Sequence, residues 1–200
     1  MERPAPRTEH LPIEIEPMRR RHLRGVVRIE QAVNPRPWSL NLFASELRYR
    51  ESRVYLVARS GTDLVGFAGL MLVAGDGHIT NVGVDRSHRR KAIATRLVLE
   101  LARRALAEGA EALTLEVRVS NEAAQGLYRR FGFVPAGVRK AYYPPADPRS
   151  RADAGGTPLP EGAHEDALIM WANDIDTPEY RARLFEIEAA LPSAETGDHD

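Results

Sequence analysis

Residues 81–95 are the most informative segment of the chain, and they read Asn-Val-Gly-Val-Asp-Arg-Ser-His-Arg-Arg-Lys-Ala-Ile-Ala-Thr. A strand pattern there runs into a short loop, and the loop opens directly into a strongly amphipathic helix predicted over residues 91–108. The first amides of a helix have no intrahelical acceptors, and the helix dipole adds about half a positive charge at that end. Small residues at Ala92 and Ala94 let a ligand approach the backbone. The pattern therefore favours binding of a diphosphate.

Three consecutive cations stand at the same helix start: Arg89, Arg90 and Lys91. The alternative interpretation is a basic helix start that is simply solvated. That alternative explains the cations poorly, because positive charge at a helix N-terminus opposes the helix dipole.

The composition fits one domain of ordinary size with tails. The chain has 200 residues, of which 43% are hydrophobic, and it contains no cysteine, which excludes a cysteine nucleophile and thiolate metal sites. Its six histidines are scattered without ligand spacing, so no metal site is predicted. The 28 basic residues balance 28 acidic ones, and no apolar run has the length of a membrane span. We therefore expect a cytoplasmic protein, a monomer or weak homodimer, with no direct contact to nucleic acid or membrane.

The remaining pattern predicts an α+β fold, a mixed α/β sandwich. A tight hairpin is predicted at residues 75–77, and Ser39, Asn121 and Thr177 are predicted helix caps. Strands are predicted near residues 13–16, 54–58, 64–73, 78–84, 113–117, 133–143 and 166–171, with helices near 20–33, after Ser39, over 91–108, after Asn121 and after Thr177.

The sequence also predicts how the chain is divided. Residues 1–11 are polar and proline-bearing, as in a disordered lead-in. The folded domain is predicted over residues 12–175, and residues 176–200 form a C-terminal helix with a polar tail. Prolines and glycines crowd residues 144–163, which predicts a long loop before the last strand.

This loop and several other segments of the chain resemble those of a known protein family. The loop resembles the coenzyme A loop of the Gcn5-related N-acetyltransferases, in which Arg89, Ala92 and Ala94 take the motif positions and Ala92 replaces the usual glycine. The runs at residues 37–39, 115–133, 142–144 and 165–170 resemble the RimI branch, bacterial acetyltransferases of ribosomal-protein N-termini. This likeness covers roughly residues 12–172 in order. It implies a mostly antiparallel, twisted sheet with helices on both faces, and acetyl-coenzyme A as co-substrate.

The resemblance also implies roles for individual residues. Glu116 and Tyr128 match the catalytic base and acid; taken alone, they would more simply be an exposed strand residue and a core aromatic. Gly83, inside a strand pattern, indicates a bulge, a close backbone approach or plain sheet irregularity. Asn121 would contact the cofactor, cap a helix, or do both. The cofactor-binding residues implied are Val82, Gly83, Val84, Arg89, Arg90, Lys91, Ala92, Ile93, Ala94, Thr95 and Asn121.

Aromatic residues are candidates for the acceptor groove. Trp38, Tyr142 and Tyr143 could form its walls, with core packing an equal alternative. Adjacent residues of a strand point to opposite faces, so at most one of the two tyrosines is expected to face the substrate.

The function expected from the resemblance is acetyl transfer in a ternary complex to a protein N-terminus. The implied acceptor is the N-terminal alanine of small-subunit ribosomal protein number eighteen. Alternatives are an enzyme for lysines, other N-termini or a small amine, a non-catalytic module that binds acyl-coenzyme A, and a ribosome-associated protein without cofactor.

Overall fold

A computed structural model describes residues 12–145 and 162–192 of the chain. The predicted lead-in at residues 1–11 and most of the predicted loop at 144–163 lie outside the described residues. Within them, no helix has the length and apolar character needed to cross a membrane.

The described residues form a single seven-stranded sheet in the order β1-β2-β3-β4-β5-β7-β6. Every pairing is antiparallel except that of β4 with β5. The predicted fold class is therefore confirmed. The strands are β1 Ile13–Pro17, β2 Arg53–Ser60, β3 Asp63–Val73, β4 Asp76–Val84, β5 Ala112–Arg118, β6 Val134–Tyr143 and β7 Glu165–Ala172.

Helices cover both faces of this sheet, as expected. Each of the three predicted caps accepts a hydrogen bond from a first-turn amide of its helix: Ser39 from Leu42, Asn121 from Ala124 and Thr177 from Tyr180. The helices are α1 Leu23–Val33, α2 Leu40–Glu46, α3 Ile93–Ala107, α4 Glu122–Arg130 and α5 Pro178–Ala189, with 3-10 turns at Arg20–His22 and Arg86–His88.

Two predicted boundaries were wrong, and a left-handed residue explains each. The hairpin turn consists of Ala74 and Gly75, both at positive φ, so β4 already begins at Asp76 rather than at residue 78. Paired positive φ values are the geometry that matches the twist of a two-residue hairpin. Helix α3 begins at Ile93 rather than 91, because Ala92 has φ 56° and ψ 15° and does not continue the helical path.

The sheet separates two hydrophobic cores. The α1/α2 face buries eight residues that include Phe43 and Phe67. The opposite face buries seven residues of α3 and several of α4 and α5. It also buries Leu113 and Leu115 of β5. Helix α5 contributes Tyr180, Leu184 and Ile187 to this core.

The parallel pair β4–β5 is joined over only part of its length. Pairing runs from Asp76 opposite Ala112 to Ile79 opposite Leu115. Beyond those residues β4 continues to Val84 and β5 to Arg118 without pairing to each other. The sheet is therefore open between these two strand ends, directly before the loop that leads into α3.

Candidate active site

The loop between β4 and α3 offers unbonded amides at the helix start. The first turn-closing hydrogen bond of α3 runs from the Arg96 N–H to the Ala92 carbonyl at 3.0 Å. The amides of Ile93, Ala94 and Thr95 precede it and so have no acceptor within the helix. The side chain of Ile93 is buried in the core, which fixes the position of this turn.

Ala92 occupies the left-handed region, with φ 56° and ψ 15°. Glycine reaches this region without steric cost, whereas an alanine there pays for the clash of its methyl group with the backbone. The neighbouring Arg90 also has positive φ, at 65°. The loop is therefore held in an unfavourable backbone path by its surroundings.

Asp85 anchors the start of this loop. Its carboxylate accepts from the backbone N–H and hydroxyl of Ser87 at 3.0 and 2.6 Å, and from the Arg28 guanidinium at 2.7 Å. Burial alone would raise the pKa of Asp85, but these bonds outweigh it and lower the pKa to about 2. The predicted cations Arg89, Arg90 and Lys91 follow as exposed residues.

The end of β4 lies between the two cores. Val82 and Val84 pack towards the α3 face. Gly83 is on the other face, where any side chain would collide with the ring of Phe67. The bulge in this strand is at Thr80, between the pairs Gly69–Asn81 and Leu70–Ile79, rather than at Gly83. The glycine is therefore explained by the approach of an aromatic ring.

Glu116 lies on β5 next to the opening, on the face opposite the buried Leu115 and Val117. Its side chain is only 7% exposed. One carboxylate oxygen is 2.8 Å from Nε2 of His78 on β4, and the other is 3.3 Å from a guanidinium nitrogen of Arg139 on β6. A carboxylate has about four acceptor sites, so Glu116 keeps capacity for a further donor.

Tyr128 lies on α4 in the α3-face core. It is 8% exposed, and its ring centroid is 5.8 Å from that of Phe133. Burial raises the pKa of Tyr128 to about 12. The phenol therefore keeps its proton at neutral pH and is a potential proton donor.

Tyr143 of β6 contacts the backbone of the predicted base, Glu116. Its hydroxyl donates to the backbone carbonyl of Glu116 at 3.1 Å, and the Arg118 guanidinium stacks 4.1 Å from its ring centroid. Burial raises the pKa of Tyr143; the positive charge of Arg118 opposes this rise, while Tyr128 and Glu116 add to it. Glu116 and Tyr128 therefore each lie within electrostatic range of Tyr143.

The expectation that Tyr142 and Tyr143 point to opposite faces was wrong. Their ring centroids are 5.1 Å apart in an edge-to-face contact. Ala141 has a φ of 52°, and the register with β7 shifts between Arg139 and Tyr143. This irregularity ends the alternation of the strand and brings both rings to one place.

Trp38 lies in the turn between α1 and α2. Its backbone N–H donates to the buried carboxylate of Glu30 at 3.1 Å, and its ring packs 5.4 Å from that of Phe43. Arg36, two residues earlier, donates to the Pro145 carbonyl at 2.9 Å. The turn that carries Trp38 is thus tied to the chain just beyond Tyr143.

Asn121 is the cap of α4 in the structure, with its side chain accepting from the Ala124 amide at 3.1 Å. Gln125 of the same helix donates to the carbonyls of Arg118 and Val119 at 3.2 and 2.8 Å. These bonds fix the turn that joins β5 to α4.

His78, Arg139 and Glu165 were missed by the sequence analysis. Glu165 accepts from Arg118 and from Ser120, which ties the end of β5 to the start of β7. His78 and Arg139 contact Glu116 from two different strands, and only the strand register brings them there. Among residues 12–145 and 162–192, no group of three or more histidines, aspartates or glutamates is placed to hold a metal ion.

The arrangement suits a diphosphate-bearing acyl carrier. The amides at the start of α3 and the cations before it fit a diphosphate, and the opening between β4 and β5 leaves backbone groups free for an extended arm. A shielded carboxylate, that of Glu116, lies beside that opening. Fold and site together define the class of enzymes that transfer an acyl group from coenzyme A.

The comparison with protein families gives the particular family. The Acetyltransferase (GNAT) family matches residues 23–133, and the chain belongs to it. It is an acetyltransferase that depends on acetyl-coenzyme A.

The relatives share most of their length with this chain. A Bacillus subtilis protein, provisionally named a ribosomal protein bS18-alanine N-acetyltransferase, is 35% identical over 77% of this chain and 91% of its own. The Escherichia coli ribosomal protein bS18-alanine N-acetyltransferase is 33% identical over 66% of this chain and 87% of its own. A crystal structure of the ribosomal-protein-S18-alanine N-acetyltransferase from Escherichia coli superposes with a TM-score of 0.67 at 28% identity, covering 82% of this chain and 94% of that one.

Proposed function

We propose that this chain acetylates the N-terminal alanine of ribosomal protein bS18. The proposal extends to this chain the activity named for its relatives, which match it over most of their length. The observation that carries it is the position of Glu116: a shielded carboxylate, fixed on both oxygens, beside the opening between β4 and β5.

An α-amine is a chemically accessible acceptor for such a site. With a pKa near 8, roughly a tenth of α-amines are neutral at pH 7, whereas lysine is neutral only at about the 10⁻³ level. A carboxylate base is sufficient to take the remaining proton from an α-amine. Glu116 is the residue we assign to that task, directly or through one water.

Tyr128 is assigned the role of acid. Acetyl-coenzyme A supplies a thioester carbonyl for attack by the amine, and the thiolate that leaves needs a proton. Burial keeps the Tyr128 phenol protonated, so the phenol is available to supply that proton.

The cofactor is assigned to the loop before α3. The amides of Ile93, Ala94 and Thr95 would bind its diphosphate, with Arg89, Arg90 and Lys91 contributing positive charge. Backbone groups of Val82, Gly83 and Val84 would bind the pantetheine arm, and one amide would polarise the thioester oxygen. Asn121 would also contact the cofactor, beyond its role as a helix cap. Trp38, Tyr142 and Tyr143 are assigned to the wall of the acceptor groove.

The test measures thiol release from acetyl-coenzyme A with a peptide that carries the bS18 N-terminus, and mass spectrometry locates the acetyl group. The matched control peptide has a blocked α-amine and a free lysine. We expect acetylation of the first peptide and not of the second. Acetylation of the lysine peptide alone would contradict an N-terminal acceptor, and cofactor binding without thiol release would indicate a non-catalytic module.

Variants test the two assigned catalytic groups. Glu116→Gln should lower turnover mainly at low pH, where the amine is most protonated and a base matters most. Tyr128→Phe should lower it across the pH range, because the donor is lost at every pH. Losses of about 10²-fold are typical of a removed acid or base. Unchanged rates in both variants would remove these assignments.

A further inference from the structure

His78 and Glu116 form a pair across the one parallel junction of the sheet. His78 stands opposite Thr114 in the β4–β5 register, so Glu116 is two residues further along β5. The imidazole Nε2 lies 2.8 Å from Oε2 of Glu116. The histidine side chain is 29% exposed and that of the glutamate 7%, so the imidazole lies on the solvent side of the pair.

The two donors to Glu116 differ in how firmly they hold it. Arg139 belongs to the edge strand β6, is 54% exposed, and approaches Oε1 only to 3.3 Å. His78 is closer, more buried and rooted in an inner strand. The direction of the carboxylate is therefore set mainly by the imidazole.

The two donors also differ in charge. A guanidinium stays positive at every accessible pH, whereas imidazole is the side chain that ordinarily titrates between about pH 5 and 8. The groups that face this pair are Arg139 from β6 and the hydroxyl of Tyr143, which donates to the Glu116 carbonyl, with Arg118 stacked behind that ring.

We propose that His78 is the positioning residue of the catalytic base in this enzyme. As a neutral imidazole it donates one hydrogen bond that orients the Glu116 carboxylate towards the acceptor amine. As an imidazolium it adds a second cation beside the carboxylate and makes it a weaker proton acceptor. The inference rests on the proposed function, because it requires Glu116 to act as the base.

The experiment compares His78→Gln and His78→Ala with the parent enzyme at about pH 6 and about pH 8, which bracket the ordinary titration of imidazole. Glutamine can donate a hydrogen bond to Glu116 but cannot titrate. At about pH 8 we expect His78→Gln to stay within about threefold of the parent in kcat. His78→Ala should lose about tenfold or more at about pH 6, where the base matters most, since small displacements of a catalytic group cost up to about 10²-fold.

The pH dependence gives the decisive readout. The activity of His78→Gln relative to the parent should be higher at about pH 6 than at about pH 8, because an imidazole can take up a proton in this range and an amide cannot. A purely structural role of His78 would leave this ratio constant. A constant ratio, or a fully active His78→Ala, would overturn the proposal.

Coupling to Glu116 separates this inference from the proposed function. In a Glu116→Gln background, His78→Ala should cause no further loss, since the base it positions is gone. An active Glu116→Gln enzyme would contradict the proposed role of Glu116 itself. An inactive Glu116→Gln enzyme together with unaffected His78 variants would contradict only the positioning role. If His78→Ala does not fold, the pH ratio of His78→Gln still decides the question.

Discussion

Replacing Ala92 by glycine should stabilise this protein. Ala92 has φ 56° in the loop before α3, a conformation that costs an L-residue about 1–2 kcal/mol. Glycine removes that cost but loses more backbone entropy on folding, by about 0.5–1 kcal/mol. The expected net gain is about 0.5–1 kcal/mol, which for a chain of this size raises the melting temperature by about 1–4 °C.

Two matched variants make this prediction specific. Ala74 has φ 51° in the exposed β3–β4 turn, so Ala74→Gly should give a similar gain away from the cofactor loop. Ala94 lies inside the first turn of α3, so Ala94→Gly should instead destabilise by up to about 1 kcal/mol. Denaturant unfolding of the three variants measures these differences.

Titration with coenzyme A extends the same test to binding. Ala92→Gly should bind the cofactor at least as tightly as the parent, and up to about tenfold tighter if the methyl group costs the bound diphosphate about 1.4 kcal/mol. Ala74→Gly should leave affinity unchanged. The reasoning would be refuted if Ala92→Gly lost stability to the same extent as Ala94→Gly, or if it bound coenzyme A more weakly.

Two further substitutions test single contacts of the site. Tyr143→Phe removes the hydroxyl that donates to the Glu116 carbonyl. It should lower the free energy of unfolding by about 1 kcal/mol and lower kcat several-fold. Unaltered stability and kcat would contradict a role for this contact. Asp85→Asn should destabilise the protein by about 1 kcal/mol at neutral pH. The pKa of Asp85 is lowered to about 2 in the folded protein. The contribution of Asp85 to the free energy of unfolding is therefore fully present at pH values above the ordinary aspartate pKa, and it is lost as the pH falls from there to about 2. The stability difference between parent and variant should therefore shrink in acid, and a difference that persists there would refute the assignment.

Features that depend on local chemistry could be predicted from the sequence alone. Caps such as Ser39 and Asn121 act on amides of their own first turn, and the free amides before α3 follow from helix geometry wherever that helix packs. In each case the interacting groups are only a few residues apart.

The surroundings of Glu116 depend on contacts between strands that are distant in the chain. His78, Arg139 and Tyr143 reach it from β4 and β6, and these contacts depend on the parallel register of β4 with β5 and on a register shift near Ala141. The sequence indicated Glu116 as a candidate base but could not name its partners. Strand register is set by packing between distant segments, and a shift of one residue would exchange every side chain between the two faces.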